Sequence, residues 1–378
     1  PDLEHRGAVH RVAGGAGERI ESRVGAVTLI NGHEMDLFAG NGYLGLQSRP
    51  EVIQAAVECL EKYGVATAIP RGGLGEQPVY DELEAQASSF FEAEKVSLYA
   101  SGYLGPSFLV QATATLFDSL FVDRDAHFSI WDAAQSTGKP ITVFHHLDPT
   151  DLEKQLLHQL KPHERPLILT DGVFPISGEI APLPEYLALA QRFMGQLYVD
   201  DAHAAGVLGA HGHGTAEHFG IPDGSVRSCV TLSKAFGAGG GLIYGSKSWV
   251  EALEKDSRIF AGSTGLPLVT AAAAARALQI AREEPELRVQ LHQNVALARQ
   301  GLASLGLDAG QSPVPILCLA ARPGLNLPLL RDELFKAGIA VEWVQRYPSA
   351  PAGGALRIAI FATHTPEQIE RLISELRR

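Results

Sequence analysis

Short apolar runs alternate with amphipathic stretches through the middle of the chain, between residues 96 and 244. Each run is brief and almost entirely apolar, which is typical of a strand buried on both faces. Repetition of strand and helix predicts a largely parallel sheet covered by helices, with ligands bound outside the carboxyl ends of the strands. The seven predicted strands are Val96–Ala100, Leu120–Val122, Ile141–Phe144, Leu167–Thr170, Leu197–Val199, Cys229–Leu232 and Leu242–Tyr244.

Helical periodicity and turn signals predict further elements on both sides of this region. Pro50 suits the first position of a helix and Gly64 suits its C-terminal cap, so a helix is predicted between them. Upstream, Gly25–Ile30 is a predicted strand and residues 31–32 form its turn. The later predicted elements are helices at about 267–281 and 285–305, strand Pro315–Ala320, helix Leu329–Ala337 with Gly338 as its cap, strands Ile339–Val344 and Leu356–Phe361, and helix Pro366–Arg377.

These elements predict an α/β protein with three parts. Residues 1–45 are rich in glycine and charge and form a predicted N-terminal arm. Residues 46–275 contain the predicted sheet and form a large domain, and residues 276–378 form a smaller α+β domain.

Composition and charge narrow the class of protein. The chain has 378 residues, of which 46% are hydrophobic and 20% charged, as in an ordinary globular enzyme. Its formal net charge of −12 argues against a binder of nucleic acids or membrane surfaces. No secretory signal or membrane-spanning run is recognisable, and the cysteines lie far apart in apolar segments. We therefore expect a cytoplasmic enzyme whose thiols are reduced, namely those of Cys59, Cys229 and Cys318.

A lysine lies in the turn between two predicted strands, in the sequence TLSKAFGAGGG. The end of a strand can hold the Lys234 amine in partly desolvated surroundings, which disfavours the ammonium and frees the lone pair for attack on a carbonyl. A solvated loop lysine is the alternative for this motif alone. The glycine run lacks both the P-loop and the dinucleotide-binding fingerprints.

An acid and a histidine follow the preceding predicted strand, in the sequence DDAHAAGVLG. Asp200 and His203 can reach one small ring from the same side, although Asp200 alone suits helix capping equally well. Together with the TLSKAFG sequence around Lys234, this motif resembles the α-oxoamine synthase family of fold-type I pyridoxal 5′-phosphate (PLP) enzymes. The resemblance extends over about residues 36–373.

The resemblance implies roles for four catalytic residues. Lys234 forms a Schiff base with PLP, Asp200 holds the pyridine nitrogen protonated, and His203 donates to the ring hydroxyl oxygen. His127, in the sequence DAHFSI, is similar to the histidine that stacks on the pyridine ring in this family. A histidine satisfied within the core is the alternative for His127.

The resemblance also implies a phosphate site. The turn containing Ser101, Gly102 and Tyr103 resembles the family turn whose backbone amides hold the phosphate at a helix N-terminus. Thr231, three residues before the lysine, is similar to a phosphate-binding threonine. Thr264, in the sequence STGLP, resembles a threonine that reaches the phosphate of the neighbouring subunit, which implies a homodimer with composite active sites.

Three residues are implied to bind substrates. Arg357 resembles the arginine that holds the amino-acid carboxylate by its planar fork, with a solvated strand arginine as the alternative. Asn41 lies in the motif NGYLGL, and Arg71 ends the sequence ATAIPR, where the family is richer in glycine. Tyr80 stands where the family has a histidine, so the acyl-substrate entrance is expected to differ from that of the family.

The resemblance implies a homodimeric acyltransferase that condenses an amino acid with an acyl thioester, carried by coenzyme A or acyl carrier protein. The β-keto acid usually loses carbon dioxide, which gives an α-amino ketone. An aminotransferase or aldolase on the same fold and a non-catalytic subunit are the alternatives, although such subunits lack the lysine. The sequence leaves open the amino acid, the acyl chain and the carrier. No metal site is expected, because the paired histidines at 145–146 and 211–213 lack ligand partners at suitable spacing.

Overall fold

The computed structural model describes residues 12–13, 17–307 and 310–378, so residues 1–11 and 14–16 of the predicted arm lie outside the described part. Its strands are β1 (Val12–Ala13), β2 (Val27–Ile30), β3 (His33–Leu37), β4 (Lys95–Tyr99), β5 (Ser119–Asp123), β6 (Ile141–Phe144), β7 (Pro166–Asp171), β8 (Gln196–Asp200), β9 (Arg227–Thr231), β10 (Gly241–Gly245), β11 (Ile316–Ala320), β12 (Ile339–Ala340), β13 (Glu342–Val344) and β14 (Ala355–Ala359). Its helices are α1 (Pro50–Tyr63), α2 (Pro78–Phe90), α3 (Gly105–Ala112), α4 (Phe128–Ser136), α5 (Pro149–Gln159), α6 (Leu183–Arg192), α7 (Thr215–His218), α8 (Lys247–Asp256), α9 (Arg258–Gly262), α10 (Leu268–Glu283), α11 (Glu286–Ser304), α12 (Leu327–Lys336) and α13 (Pro366–Arg377).

Seven strands form the central sheet, in the order β4-β10-β9-β8-β7-β5-β6. Strand β10 is antiparallel to both of its neighbours, whereas every pair among the other adjacent strands is parallel. The prediction of a seven-stranded, mostly parallel sheet is therefore confirmed. The parallel strands bring their carboxyl ends to one edge of the sheet, which is where a ligand site is expected.

Both faces of this sheet are covered, as strand β5 shows. Its Leu120 and Val122 pack with residues of α3 and α4, while Phe121 between them packs with residues of α5 and α6. All three side chains are fully buried. Because neighbouring residues of a strand point to opposite faces, a strand between two helical layers has to be apolar throughout. Each such side chain contributes about 1.5–3 kcal/mol by its burial.

The C-terminal part contains two smaller sheets. One has the order β1-β13-β14-β11, and the other has the order β12-β3-β2. The described strands of the predicted N-terminal arm therefore pair with strands of the C-terminal part, β1 with β13 and β3 with β12. Helix α10 packs on α1 and α2 of the large part, and α11 packs on α13 of the smaller one.

The prediction of a single strand at Ile339–Val344 is wrong. The structure divides it at Val341, so that β12 pairs with β3 in one sheet and β13 pairs with β14 in another. Residues 339–341 are buried one after another, which a strand with one exposed face does not allow. The division has a consequence for the site, because it places Glu342 directly opposite Arg357.

The described ranges hold no helix that is long and apolar enough to cross a bilayer. Within the same ranges, no group of three or more histidine, cysteine, aspartate or glutamate side chains is arranged to hold a metal ion.

Candidate active site

The predicted catalytic residues meet at the carboxyl edge of the central sheet. Strands β7, β8 and β9 end at Asp171, Asp200 and Thr231, and Lys234 lies in the turn that leads to β10. Lys234 is half-buried. Burial lowers the pKa of its ammonium, although the carboxylates of Asp200 and Asp171 act in the opposite direction. A lysine with a lowered pKa is a better proton acceptor near neutral pH than a solvated one.

Two carboxyl groups lie side by side beneath Lys234. Asp171 and Asp200 are partners in the parallel pairing of β7 with β8, and both are buried. Burial, together with the charge of Asp200, raises the pKa of Asp171 well above its usual range. Neighbouring buried carboxyl groups disfavour double ionisation, which favours the protonated form of Asp171.

The ring of His127 is fixed through both of its nitrogen atoms. His127 caps the N-terminus of α4, where its Nδ1 accepts from the Ser129 amide at 3.2 Å and lies 2.7 Å from the Ser129 hydroxyl. Its Nε2 lies 2.9 Å from the hydroxyl of Tyr347. Because Nδ1 accepts a hydrogen bond, the proton of the neutral ring is on Nε2, which donates to Tyr347. Burial lowers the pKa of His127, which favours this neutral form. The in-plane bonds leave the faces of the ring available for stacking.

His203 contacts a buried phenol that the sequence analysis did not assign. The hydroxyl of Tyr43 lies 2.7 Å from Nδ1 of His203. Burial raises the pKa of Tyr43 to about 12, and burial together with Lys234 lowers the pKa of His203 well below its usual range, so both groups are neutral. The Tyr43 hydroxyl has two acceptors within reach, Nδ1 of His203 at 2.7 Å and Oδ1 of Asn41 at 3.3 Å, and the much shorter contact takes the phenolic hydrogen. Nδ1 of His203 is therefore the acceptor, and its Nε2 carries the hydrogen.

The predicted phosphate turn has the shape of an anion cradle. Residues Gly102–Leu104 form a 3₁₀ turn that runs into α3, and such N-termini offer backbone N–H groups to anions. A Cβ atom at Gly102 would lie 2.3 Å from the Thr231 hydroxyl, so a larger residue would close the gap between the turn and β9. Thr231 and Ser233 place two hydroxyls 2.8 Å apart on the opposite side. The residues present therefore fit a phosphate group.

Ser101 and Tyr103 stand on either side of Gly102, and both are exposed in this chain. The hydroxyl of Tyr103 donates to Asp132 at 2.6 Å, and its ring meets the ring of His127 edge-on at 5.8 Å. The structure thus connects the predicted phosphate turn with the histidine predicted to stack on the cofactor through one aromatic contact.

Arg357 is buried in β14 and every one of its five N–H groups has an acceptor within the protein. The resemblance implies a guanidinium free to hold a substrate carboxylate, but here the fork is already occupied. The acceptors are Pro175 O for Nε at 2.7 Å, Gly40 O at 3.0 Å and Glu342 Oε2 at 2.7 Å for Nη1, and Asn41 Oδ1 at 2.6 Å and the Tyr43 hydroxyl at 3.4 Å for Nη2. Asn41 and Arg357, which were both predicted to bind substrate, are therefore in direct contact.

Arg71 and Thr264 lie in a separate cluster. Arg71 forms ion pairs with Glu76 at 2.8 Å and Glu84 at 2.6 Å, and its guanidinium stacks on the ring of Tyr80. Thr264 is exposed and its backbone bridges to that of Pro70. The structure thus brings these two residues to one surface of the chain, where Arg71 is held by its own carboxylate partners.

Three residues of the site carried little signal in the sequence. Tyr43 lies within the NGYLGL motif, which could have indicated it. Tyr347 and Glu342 belong to a stretch without a recognised motif, and the place of Glu342 depends on how β13 pairs with β14. Such cross-strand neighbours depend on register, which one sequence does not reveal at this distance.

Comparison with known proteins agrees with this geometry. The chain matches the family model described as Aminotransferase class I and II over residues 34–376. The 8-amino-7-oxononanoate synthase of Thermoanaerobacter pseudethanolicus is 34% identical over 93% of this chain and 89% of the relative. Serine palmitoyltransferase of Sphingomonas wittichii has a TM-score of 0.90 at 27% identity, covering 97% of this chain and 92% of its own. Serine palmitoyltransferase of S. paucimobilis, solved with bound PLP–myriocin, has a TM-score of 0.87 at 27% identity, covering 93% and 88%.

The fold and the residues at the sheet edge define a fold-type I, PLP-dependent enzyme of the aminotransferase class I and II group. The chain belongs to the α-oxoamine synthase family within this group. Its cofactor is PLP, and it is a C-acyltransferase that condenses an amino acid with an acyl thioester. The alternative of an aminotransferase or aldolase is not favoured by these similarities.

Proposed function

We propose that Lys234 is the base of this condensation and that the groups around it control the charge of the reacting centre. The observation that carries this proposal is the half-buried Lys234 amine, whose pKa is lowered by burial, beside the carboxyl pair of Asp171 and Asp200. Bound PLP supplies an electron sink for the negative charge left on the α-carbon of the amino acid. Lys234 Nζ takes the α-proton, because its lowered pKa lets it accept a proton near neutral pH.

The acids and histidines keep the cofactor in its reactive form. Asp200, at the end of β8, would hold the pyridine nitrogen of bound PLP in its protonated form. His203 would donate from Nε2 to the ring hydroxyl oxygen, because Nδ1 is held by Tyr43. His127 would cover one face of the cofactor ring, because both of its nitrogens are held by partners in the plane of the imidazole. Burial of these groups excludes water that would otherwise compete for the same protons.

The remaining predicted residues position the substrates and the phosphate. Ser101, Gly102 and Tyr103 offer the turn at the start of α3, and Thr231 adds a hydroxyl from the end of β9. Arg357 and Asn41 receive the carboxylate of the amino acid. Arg71 remains our candidate at the entrance for the acyl chain, where it stacks on Tyr80.

We also propose that the enzyme is a homodimer in which Thr264 reaches the phosphate of the partner's site. Large hydrophobic residues are exposed near Thr264, on α1 and on the loop that follows it. Leu74 is 90% exposed, and the backbone of Pro70 in the same loop bridges to Thr264. The exposed residues of this surface are Val57, Leu60, Val65, Ile69 and Leu74. An apolar patch of this kind is typical of a surface that another chain covers.

Reduced thiols support the proposal that the enzyme acts in the cytoplasm. Cys59, Cys229 and Cys318 are all free in the structure. Burial raises the pKa of each thiol, which reduces the fraction of reactive thiolate near neutral pH.

Thiol release tests the reaction class. We expect the holoenzyme to release thiol from an acyl thioester only when a suitable amino acid is present, and to show no sustained turnover with a keto acid. Lys234→Ala should abolish this release. Lys247→Ala is the matched control, because Lys247 is an exposed lysine whose charge lies outside the site.

Thiol release without an amino acid would exclude condensation as the main reaction. Turnover sustained by a keto acid would instead favour an aminotransferase, which has to return its cofactor from the amine form.

A further inference from the structure

The carboxylate of Glu342 occupies the guanidinium that the proposed function assigns to the substrate. Glu342 and Arg357 are directly opposite each other on β13 and β14, and Glu342 Oε2 accepts from Arg357 Nη1 at 2.7 Å. The other four N–H groups of Arg357 are also taken by the protein. A carboxylate of an amino acid can therefore gain a hydrogen bond from Arg357 only if one protein acceptor leaves.

The acceptors of Arg357 differ in how easily they can leave. Pro175 and Gly40 contribute backbone carbonyls, whose movement would displace the loops that carry them. Asn41 and Tyr43 are neutral, so they do not repel an incoming carboxylate. Glu342 is the charged one, and its side chain is 29% exposed, so its carboxylate can turn into water.

The charge of Glu342 also reaches other groups of the site. Burial raises the pKa of Tyr43 and of Tyr347, and the negative charge of Glu342 adds to both shifts. Tyr43 contacts His203, and Tyr347 contacts His127. Glu342 is thus close enough to the reacting centre for its charge to repel a substrate carboxylate there.

We propose that Glu342 is an internal competitor for Arg357, which sets how tightly this enzyme binds its amino acid. In the free enzyme Glu342 neutralises the buried guanidinium. When substrate binds, its carboxylate takes the place of the Glu342 carboxylate on Arg357, and the Glu342 side chain turns toward solvent. The two carboxylates therefore never bind Arg357 at the same time. Each binding event then includes the loss of one ion pair, which weakens affinity for every ligand that binds through a carboxylate. This inference rests on the proposed function, in which Arg357 receives that carboxylate.

Glu342→Gln tests the competition with little change in shape. A glutamine oxygen can still accept from Arg357 Nη1, but it has no charge to repel the substrate. We expect the Kd of the amino acid to fall about tenfold, equal to about 1.4 kcal/mol. The measurement is a titration of the holoenzyme, followed by the cofactor absorption, with the twenty common amino acids and with the methyl ester of each. The esters lack the carboxylate, so their Kd should not change.

The control is Glu284→Gln. Glu284 also pairs with an arginine, Arg49, at 2.8 Å, and its side chain is 33% exposed, but it lies at the end of α10. The Glu284→Gln substitution should leave the Kd of every ligand unchanged. Thermal unfolding and cofactor content show whether each variant keeps the fold.

Each other outcome contradicts the proposal in a distinct way. An unchanged or higher Kd in Glu342→Gln would mean that Glu342 only positions Arg357. Equal tightening for amino acids and esters would mean that the variant acts on the site in general and not on the carboxylate. If neither the wild type nor Glu342→Gln binds any amino acid, the proposed function itself fails, and the competition fails with it.

Discussion

The hydroxyl of Tyr43 decides which nitrogen of His203 carries the hydrogen. The two groups are buried, neutral and 2.7 Å apart, a distance typical of a hydroxyl donor. The other acceptor within reach of this hydroxyl, Asn41 Oδ1, is 3.3 Å away, so the shorter contact sets the direction of the bond toward His203. A single residue outside the predicted catalytic set thus fixes the donor that His203 offers to the cofactor.

Tyr43→Phe should release this constraint. Without the hydroxyl, Nδ1 of His203 has lost its donor, and we expect a mixture of the two neutral tautomers. Long-range ¹H–¹⁵N NMR of the histidine rings measures this, with the His203 signal assigned by its loss in His203→Gln. The unpaired nitrogen should also lower the free energy of unfolding by about 1–3 kcal/mol.

Tyr80→Phe is a matched control for the tautomer. Tyr80 is equally buried and its hydroxyl donates to the Leu266 carbonyl at 2.6 Å, so its loss should destabilise the fold similarly. The His203 spectrum should stay as in the wild type. A single Nε2–H tautomer that persists in Tyr43→Phe would show that another group sets it.

Sequence motifs predicted the site best where chemistry and local sequence coincide. Asp200, His203 and Lys234 lie in short motifs at the ends of strands or just after them, and the structure brings them to one edge of the sheet. Arg357 and Glu342 show what sequence motifs do not predict. A motif indicates a guanidinium, but only the pairing of β13 with β14 reveals the carboxylate opposite it.

His146, which follows β6, links the end of β5 with the loop after β7 at the carboxyl edge of the sheet. Its Nδ1 lies 2.8 Å from Asp123 at the end of β5, and its Nε2 lies 3.4 Å from Glu179 in the loop after β7. The same loop carries the Pro175 carbonyl that accepts from Arg357. Burial alone would lower the pKa of His146, but Asp123 and Glu179 outweigh it and raise the pKa to about 9.

The pKa of His146 predicts a stability that depends on pH. A folded-state pKa above the unfolded value of about 6.5 means that the stabilisation is fully present below pH 6.5 and is lost as pH rises through about 9. His146→Gln should therefore lower the free energy of unfolding by up to about 3 kcal/mol at pH 6 and by much less at pH 10. Urea unfolding of the wild type and of His146→Gln at each pH measures the two free energies of unfolding. Their difference cancels the contribution of the other titrating groups, which both proteins share.

A difference between wild type and His146→Gln that is the same at pH 6 and pH 10 would contradict this assignment. His158→Gln is the control, because it removes a histidine from α5 that takes part in neither of these ion pairs. Its effect should not vary with pH in the alkaline range.

Elements were predictable where one pattern covers a whole strand or helix. The strands of the central sheet are uniformly apolar because helices cover both faces, and α1 begins at Pro50 and ends before Gly64 as its end signals indicate. The stretch from Ile339 to Val344 was not predictable in this way. It is continuous in sequence but belongs to two sheets, and only the neighbouring strands determine where it divides.

At the scale of the whole molecule, the proposed dimer places Thr264 in the partner's site. Mixing two inactive chains tests this arrangement. Lys234→Ala with Arg357→Ala should stay inactive, because both residues belong to one subunit's site. Lys234→Ala with Thr264→Trp should recover about a quarter of the wild-type activity, because half of randomly mixed dimers are heterodimers with one intact site.

Subunit exchange has to be demonstrated in the same mixtures, for example by native mass spectrometry of chains of different mass. Heterodimers that form without any recovery of activity would contradict the composite site. Recovery of activity in the mixture of Lys234→Ala with Arg357→Ala would mean that Arg357 and Lys234 of one chain serve the active sites of different subunits.

The most direct test of the account is the exchange of the α-hydrogen of the amino acid with deuterium oxide, measured by ¹H NMR. Lys234 is proposed to take this proton, and the thioester is proposed to consume the resulting carbon nucleophile. We predict that the holoenzyme exchanges the α-hydrogen, that an acyl thioester accelerates its loss, and that Lys234→Ala reconstituted with PLP exchanges none. Exchange at the wild-type rate in Lys234→Ala, or α-hydrogen loss that the thioester does not accelerate, would contradict the account.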